Sequence, residues 1–572
     1  MLSKYPKALL AIFVASVFVG CLRTLDDPDI WFQLLAGRYA LNNMAVPHND
    51  FFLYAGANRP QIFGGWGFGA IYELIIRAFG LSWASVANAV IWTSSLVLPI
   101  ATACRRRGTT LGGLSGSQTL MSMICVSILF FGVSTRMGLR AECTLFLAWQ
   151  GAAYLDARFH DSAERWKFLL VMPLIVWTVA ILHTGAFLLI LFYLISIIGS
   201  WQAIKIDRKL VLFYGLSLGL AVILPLVNPN GYSQFLVQPA AIISGFSASS
   251  QTQSQTDIAS LLISEYQPIW GSRMEGLYLN FGLVALLGLI TLWSSWRPNG
   301  ASHVAHVNST QWRRSMEIIL FAGFFLMSCM HIRGLALAAM VIAPIACEIF
   351  QNQDVPKLSA SDSFLGKMIL GLAFLFPMLA GMVQPAFGIE PSSNKIQPLA
   401  NAIRQASPAG ANIFTTEKGP ALLYALNDEK FKVSFSSHFL LPNEEAQMHE
   451  SRALFASEGW KDELSKWNVR YICVPFYLTA PGEGVSYKLP QHLAVDDEWR
   501  LVMVSPICPL FSRLAKDQVL TKQEREEKLL AYWGYMSLFE LPSGPIPDKL
   551  GMRLGREAHK KLLENFPDRI SR

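Results

Sequence analysis

The chain is short of charge. Of its 572 residues only 15% are Asp, Glu, Lys or Arg while 52% are hydrophobic, where a soluble globular protein carries about 25% charged residues. That excludes one large water-soluble domain. There is no internal repeat and no low-complexity tract. Cysteine is scarce, eight in all. No cysteine has zinc-site spacing, and the six before the tail lie in or beside apolar runs, where they read as small apolar residues. Gly64-Gly65-Trp66-Gly67-Phe68-Gly69 lacks the lysine and the strand–helix setting of a phosphate loop. It reads as close backbone packing, not nucleotide binding. The formal net charge of +7 is spread over loops and requires no nucleic-acid partner.

Long apolar runs take the place of charge. We read about eleven spans of a ~30 Å hydrocarbon core, near residues 6–22, 81–103, 118–134, 142–156, 168–182, 185–201, 210–227, 276–296, 315–331, 334–350 and 364–384. The first, Ala8–Leu22 behind Lys4 and Lys7, resembles a signal peptide. No small-x-small site leads into a soluble domain, so a retained anchor is expected. Alternate loops carry Lys4, Lys7, Arg105-Arg106-Arg107, Arg158, Arg165, Lys167, Lys205, Arg208, Lys209, Arg297, Arg313, Arg314 and Lys357. The positive-inside rule places these loops in the cytoplasm, with the N-terminus inside and everything after about Gln384 outside.

On that map Leu25-Asp26-Asp27-Pro28-Asp29-Ile30-Trp31 lies at an outer boundary. Two readings stand: a solvated loop with Pro28 starting a helix, or carboxylates kept for acid–base work or cation binding. His48, Asp50, Arg136, Arg140, Glu142, His183, Asn228, Glu265, His331 and Arg333 fall on the same side. Polar groups at the ends of membrane spans are costly and mark function. One face is therefore expected to be chemically equipped and the other merely basic.

The predicted architecture is an α-helical polytopic membrane domain over 1–387, with a first outer loop at 23–80, and an extracytoplasmic α/β domain over 388–572. In the outer loop, Trp31, Leu34, Leu35, Tyr39 and Leu41 recur at helical spacing, which suits a helix lying in the interface. Trp31 and Trp66 read as interfacial anchors. In the tail the pattern predicts helix Ile396–Arg404, strand Ala411–Thr415, helix Glu417–Leu426, strand Phe431–Ser436, one long helix Glu444–Trp467, and strands at Val469–Val474 and near Arg500–Val504. Cys473 and Cys508 are its only cysteines. They pair if the compartment is oxidising and the geometry allows.

Several short elements together resemble the GT-C superfamily of membrane glycosyltransferases, within it a bacterial branch with an Asp-Pro-Asp-x-Trp element after the first span. They are Asp27-Pro28-Asp29-Ile30-Trp31 with Gly37-Arg38, Val46-Pro47-His48-Asn49-Asp50-Phe51, Leu139-Arg140-Ala141-Glu142, Leu182-His183-Thr184-Gly185, Asn228-Pro229-Asn230-Gly231 and Glu265-Tyr266. The chain departs from the branch at Gln33, where His is common, at Ala141, where Pro is, and at Ile181, where Asn is. A His-Glu-Trp-like element survives only as Gly65-Trp66.

The resemblance implies transfer of a hexosyl or pentosyl unit from a polyprenyl-phosphate sugar donor to a lipid, glycan or protein acceptor. The setting is the outer face of a bacterial inner membrane, in envelope polysaccharide biosynthesis. It implies a general base or metal ligand among Asp27 and Asp29, which would also hold any divalent metal ion. Substrate contacts would come from Asp50, Arg140, Glu142, His183, Glu265, His331 and Arg333. An acceptor hydroxyl must lose a proton, which suits a carboxylate, and the leaving phosphate needs Arg, His or a divalent ion. Bland readings stand beside these: a turn for Asp50, an interhelical hydrogen bond for His183, a boundary ion pair for Arg140 with Glu142, a helix stop for Asn228. Two other classes remain, a lipid-linked saccharide transporter and a non-catalytic envelope-glycan assembly partner.

Overall fold

A computed structural model describes residues 6–25, 27–55, 57–159, 164–199, 208–231, 275–296, 307–330, 333–352, 371, 375–382, 388, 393–416, 418–434, 444–474, 488–505 and 508–538. The chain forms two compact units. One comprises Met1–Asp27, Gly64–Gln251 and Glu265–Glu390, the other Pro28–Phe63, Thr252–Ser264 and Pro391–Arg572.

The first unit is helical. The first ten expected apolar runs coincide with helices Pro6–Gly20, Ser82–Arg106, Gly116–Val133, Glu142–Phe159, Arg165–Leu182, Phe187–Gly199, Arg208–Ile223, Glu275–Trp296, Val307–Met330 and Arg333–Asn352. Among the described residues four are long and apolar enough to cross a membrane: Ser82–Arg106, Gly116–Val133, Arg165–Leu182 and Gly334–Asn352. The run at 364–384 falls largely outside the described residues. Arg333–Asn352 is the central helix, packed by Ser82–Arg106, Gly116–Val133 and Val307–Met330. Nearly all of it is buried, as a helix packed on several sides should be. The glycine cluster opens helix Trp66–Phe79 with Gly65 left-handed at φ 83°. A Cβ on Gly67 would stand 2.5 Å from the Ile181 side chain, so close packing is its structural use.

One expectation is overturned. The helix ends remote from the acidic boundary are not merely basic. Arg106 holds Glu317 with both Nη atoms, at 2.6 and 3.1 Å. Glu348 lies 3.6 Å from Arg106 and pairs with Arg314. Beside them Arg165 meets Asp156 at 2.8 Å, and Ser196 donates to the same carboxylate. Tyr214 accepts from Arg165 Nε at 2.8 Å. Counting Lys and Arg located this end but left its acids out of account.

The second unit carries a five-stranded mixed sheet of β1 (Ala411–Thr415), β2 (Phe431–Val433), β3 (Val469–Cys473), β4 (Trp499–Val504) and β5 (Pro509–Arg513), in the order β2-β1-β3-β5-β4. β1 runs parallel to β2 and β3, while β5 is antiparallel to β3 and β4. The predicted long helix is two, Glu444–Leu454 and Trp460–Lys466. The break carries Ala456 at φ 46° and Gly459 at φ 78°, conformations no α-helix accommodates. Cys473 and Cys508 form a disulfide.

The outer-loop helix Pro28–Asn43 belongs to this unit and packs on helix Gly419–Leu426. Trp31, expected at the membrane interface, is 2% exposed and packs against Tyr424, with ring centroids 5.1 Å apart and planes tilted by 54°. The Arg38 guanidinium sits 3.7 Å above the same ring and donates to Asn427 Oδ1. Residues 52–54 lie along the β2 edge, with Val433 N donating to Phe52 O and Tyr54 N to Val433 O. A sheet edge is thereby covered.

Candidate functional site

Two short segments meet at one end of the helical unit. One is residues 21–25 with Asp27, which follow the first helix; the other, 134–141, links Gly116–Val133 to Glu142–Phe159. Asn88 anchors the second segment by donating to the Met137 carbonyl at 3.1 Å. Arg140 Nε donates to the Asp27 carboxylate, with side-chain exposures of 20% and 13%. Arg136 grips Glu142 through Nε and Nη2. The sequence suggested Arg140 with Glu142; the ion pairs among the described residues join Glu142 to Arg136 and Asp27 to Arg140. A Cβ on Gly138 would lie 3.2 Å from Asp27 Oδ2, so the glycine leaves space for the acid.

Arg23 was not singled out in the sequence. It is buried, its Nη1 donates to the carbonyls of Gly20 and Leu22 at 2.8 Å each, and its Nη2 lies 4.0 Å from Met137 Sδ. Among the described residues no carboxylate reaches it. The signal that marks it is an arginine directly behind an apolar span in a boundary segment otherwise rich in acids.

His183 ends helix Arg165–Leu182, and its Nδ1 accepts from the Gly185 amide at 2.9 Å. A neutral ring held that way carries its proton on Nε2. A Cβ at Gly185 would sit 2.8 Å from Nδ1, so the His-Thr-Gly sequence has a steric reason. Asn228 latches a turn, donating to Ala180 O at 3.0 Å and accepting from Asn230 N at 3.1 Å.

The remaining expected residues are placed elsewhere. Asp29 opens helix Pro28–Asn43 in the second unit, where a first-turn acid meets the positive end of the helix dipole. Asp50 is in the same unit, and its Oδ1 accepts from the Phe52 and Leu53 amides at 3.0 Å each. Burial raises its carboxyl above the ordinary range. Asp26, Glu265 and His331 lie outside the described residues, as does the side chain of Arg333, which begins the central helix.

The second unit holds a titratable cluster that sequence patterns did not suggest. The Tyr54 hydroxyl and His449 Nε2 are 2.7 Å apart, and Glu463 lies 3.5 Å from His449 Nδ1. Phe414 and Trp467 enclose the imidazole. Burial pushes His449 down to about 4, against the pull of Glu463, which acts to raise it.

A divalent ion on Asp27 and Asp29 is what the resemblance would supply. The described residues alone do not make a donor set for one. Arg140 occupies the Asp27 carboxylate, Asp27 and Asp29 belong to different compact units, and among the described residues no three His, Cys, Asp or Glu converge.

In fold the chain is similar to solved archaeal oligosaccharyltransferases. No family model matches the chain, and no curated protein matches it. Solved structures do. The apo oligosaccharyltransferase of Archaeoglobus fulgidus superposes with a TM-score of 0.56 at 11% identity, over 91% of this chain and 76% of that one. AglB from the same organism, in complex with an inhibitory peptide and a dolichol-phosphate, gives 0.52 at 11% identity over 90% and 75%. The oligosaccharyltransferase tethered to an acceptor peptide containing the NVT sequon gives 0.52 at 12% identity over 90% and 74%.

Proposed function

We propose that this chain is a membrane glycosyltransferase that moves a hexosyl or pentosyl unit from a polyprenyl-phosphate donor to an envelope lipid, glycan or protein on the outer face of a bacterial inner membrane. In this reading the N-terminus is cytoplasmic and the 388–572 domain lies outside. The observation that carries the proposal is the Arg140–Asp27 pair at one end of a GT-C helical unit. Asp27 takes the proton of the acceptor hydroxyl as its oxygen bonds to the anomeric carbon. The bond from that carbon to the phosphate oxygen breaks, and the polyprenyl phosphate leaves with the electron pair. Arg140 then stabilises the phosphate, because its planar fork matches phosphate oxygens. His183 Nε2–H is a further donor of suitable chemistry. Asp29 and Arg333 are assigned supporting roles on the resemblance, as are Asp50, Glu142, Glu265 and His331. A fold neighbour solved with dolichol-phosphate supports the donor class, and one tethered to an acceptor peptide supports a protein among the acceptors.

The test is incorporation of labelled sugar by membranes containing the wild-type chain, Asp27→Asn or Asp29→Asn. The proposal expects loss of transfer in Asp27→Asn. Full activity in both variants would remove the acid–base centre. Incorporation that needs the protein yet survives replacement of every outer-face acid would make it an assembly partner.

A further inference from the structure

Around residues 134–142 three guanidinium groups, Arg23, Arg136 and Arg140, stand with two carboxylates, Asp27 and Glu142. Both carboxylates are taken by arginines. Arg23 is 3% exposed, and its partners among the described residues are carbonyls and a thioether. A buried cation without a counter-ion is costly, and such residues in membrane proteins mark sites that handle charge. The described side chains therefore carry an excess of positive charge. A divalent cation placed on Asp27 would have to expel Arg140 and would add to that excess. A phosphate would neutralise it.

We propose that the guanidinium groups of Arg140, Arg136 and Arg23 stand in for a divalent cation at this site. The donor phosphate then meets fixed arginine charge, and transfer needs no metal ion. The inference rests on the glycosyltransferase reading for its donor. Arg140 touches both Asp27 and the incoming phosphate, the bridging place a metal would otherwise fill. Arg136 holds Glu142, and Arg23 contributes through the field of its buried charge, so these two are positioning residues.

Purified full-length protein in nanodiscs is titrated with Mn²⁺ and followed by electron paramagnetic resonance. The wild-type chain is expected to bind no Mn²⁺ that Asp27→Asn removes. Arg140→Gln removes the guanidinium from the carboxylate and should gain one bound Mn²⁺, lost again in Arg140→Gln/Asp27→Asn. Arg140→Lys keeps the charge and should stay without it. In membranes, wild-type transfer should persist in EDTA, while Arg140→Gln should lose roughly 10²–10³-fold, the scale of removing one charge-stabilising donor. A wild-type Mn²⁺ signal abolished by Asp27→Asn overturns the proposal. So does transfer that EDTA stops and Mn²⁺ restores. Absence of transfer under every metal condition would instead refute the glycosyltransferase reading, and the Mn²⁺ titration would still decide this one.

Discussion

Asn88 and Arg106 sit on one helix, about 27 Å apart at 1.5 Å per residue, close to the thickness of a hydrocarbon core. At the Arg106 end, three arginines (Arg106, Arg165, Arg314) meet three acids (Asp156, Glu317, Glu348), all on helices that pack together. At the Asn88 end, Arg140 and Arg136 hold Asp27 and Glu142, and among the described residues Arg23 meets no acid. The first set is neutral and closed. Among the described side chains the second has three arginines to two acids, lies largely on the segments between helices, and leaves Arg140 one-fifth exposed. Balanced buried charge fixes how helices dock, whereas unbalanced charge beside a loop is suited to a ligand.

The comparison breaks most sharply at the closed end. Arg165→Met would leave Asp156 buried without its cation, and losing one partner of a buried pair costs about 3–5 kcal/mol. Thermal unfolding in detergent should show that loss, and Asp156→Leu/Arg165→Met should recover most of it. If the single variant unfolds like wild type, the Asp156 cluster is not a structural lock. At the other end Glu142→Gln should cost less than Arg165→Met, because the glutamine carbonyl can still accept from Arg136 and no buried charge is left facing an apolar replacement. A loss as large as that of Arg165→Met would make the two ends equivalent and dissolve the distinction.

The membrane helices were legible because an apolar run of span length has few alternatives, and strands β1, β3 and β4 because their apolar blocks are bounded by turn residues. β5 was not, since Pro509 masks a five-residue strand whose pairing to β3 and β4 is long-range. The break at Ala456 was hidden for a related reason: alanine there carries no turn signal, and tertiary packing imposes its positive φ. At the site, Asp27, Arg140 and Glu142 could be picked out by type and position, but their partners could not. Pairing depends on how residues 21–25 and Asp27 approach residues 134–142, which no local pattern encodes. Arg23 was passed over because it resembles an ordinary boundary cation until its burial is seen. Trp31 looked like an interfacial anchor because Tyr424, its partner, lies far along the chain.

His449 offers a third way of burying a titratable group, as a neutral ring. Its value of about 4 in the folded chain lies below the unfolded 6.5. Below the unfolded value the unfolded state binds the extra proton, so its stabilisation is full above pH ~6.5 and fades as pH falls towards ~4. A shift of that size corresponds to roughly 3 kcal/mol at most. Hydrogen exchange of the β1 and β3 amides between pH 7 and 4 should report the loss, after correction for intrinsic exchange. His449→Gln, which cannot gain a proton, should flatten the profile while lowering stability at neutral pH through imperfect packing. An unchanged slope in the variant would assign the acid sensitivity to other groups.

Asp50 should give the smallest effect and the opposite sign. Its carboxyl is raised in the folded chain, mainly by burial, with the Leu53 and Phe52 amides and Lys432 acting to lower it. A raised acid stabilises the fold most when protonated, and that contribution is lost as pH rises through the folded value. At neutral pH the ionised group is therefore a mild penalty that its two amide bonds only partly offset. Asparagine keeps an acceptor oxygen for Phe52 and Leu53 without the charge, though it gives up the attraction to Lys432. Asp50→Asn should then change the stability of the sheet domain by about 1 kcal/mol or less at pH 7, with a flatter dependence across the window from the ordinary carboxyl value up to the raised folded one. Denaturant unfolding monitored at the domain's tryptophans is the measurement. A loss of several kcal/mol at neutral pH would mean that the charge of Asp50 is needed, and would return it from a turn residue to a candidate for binding.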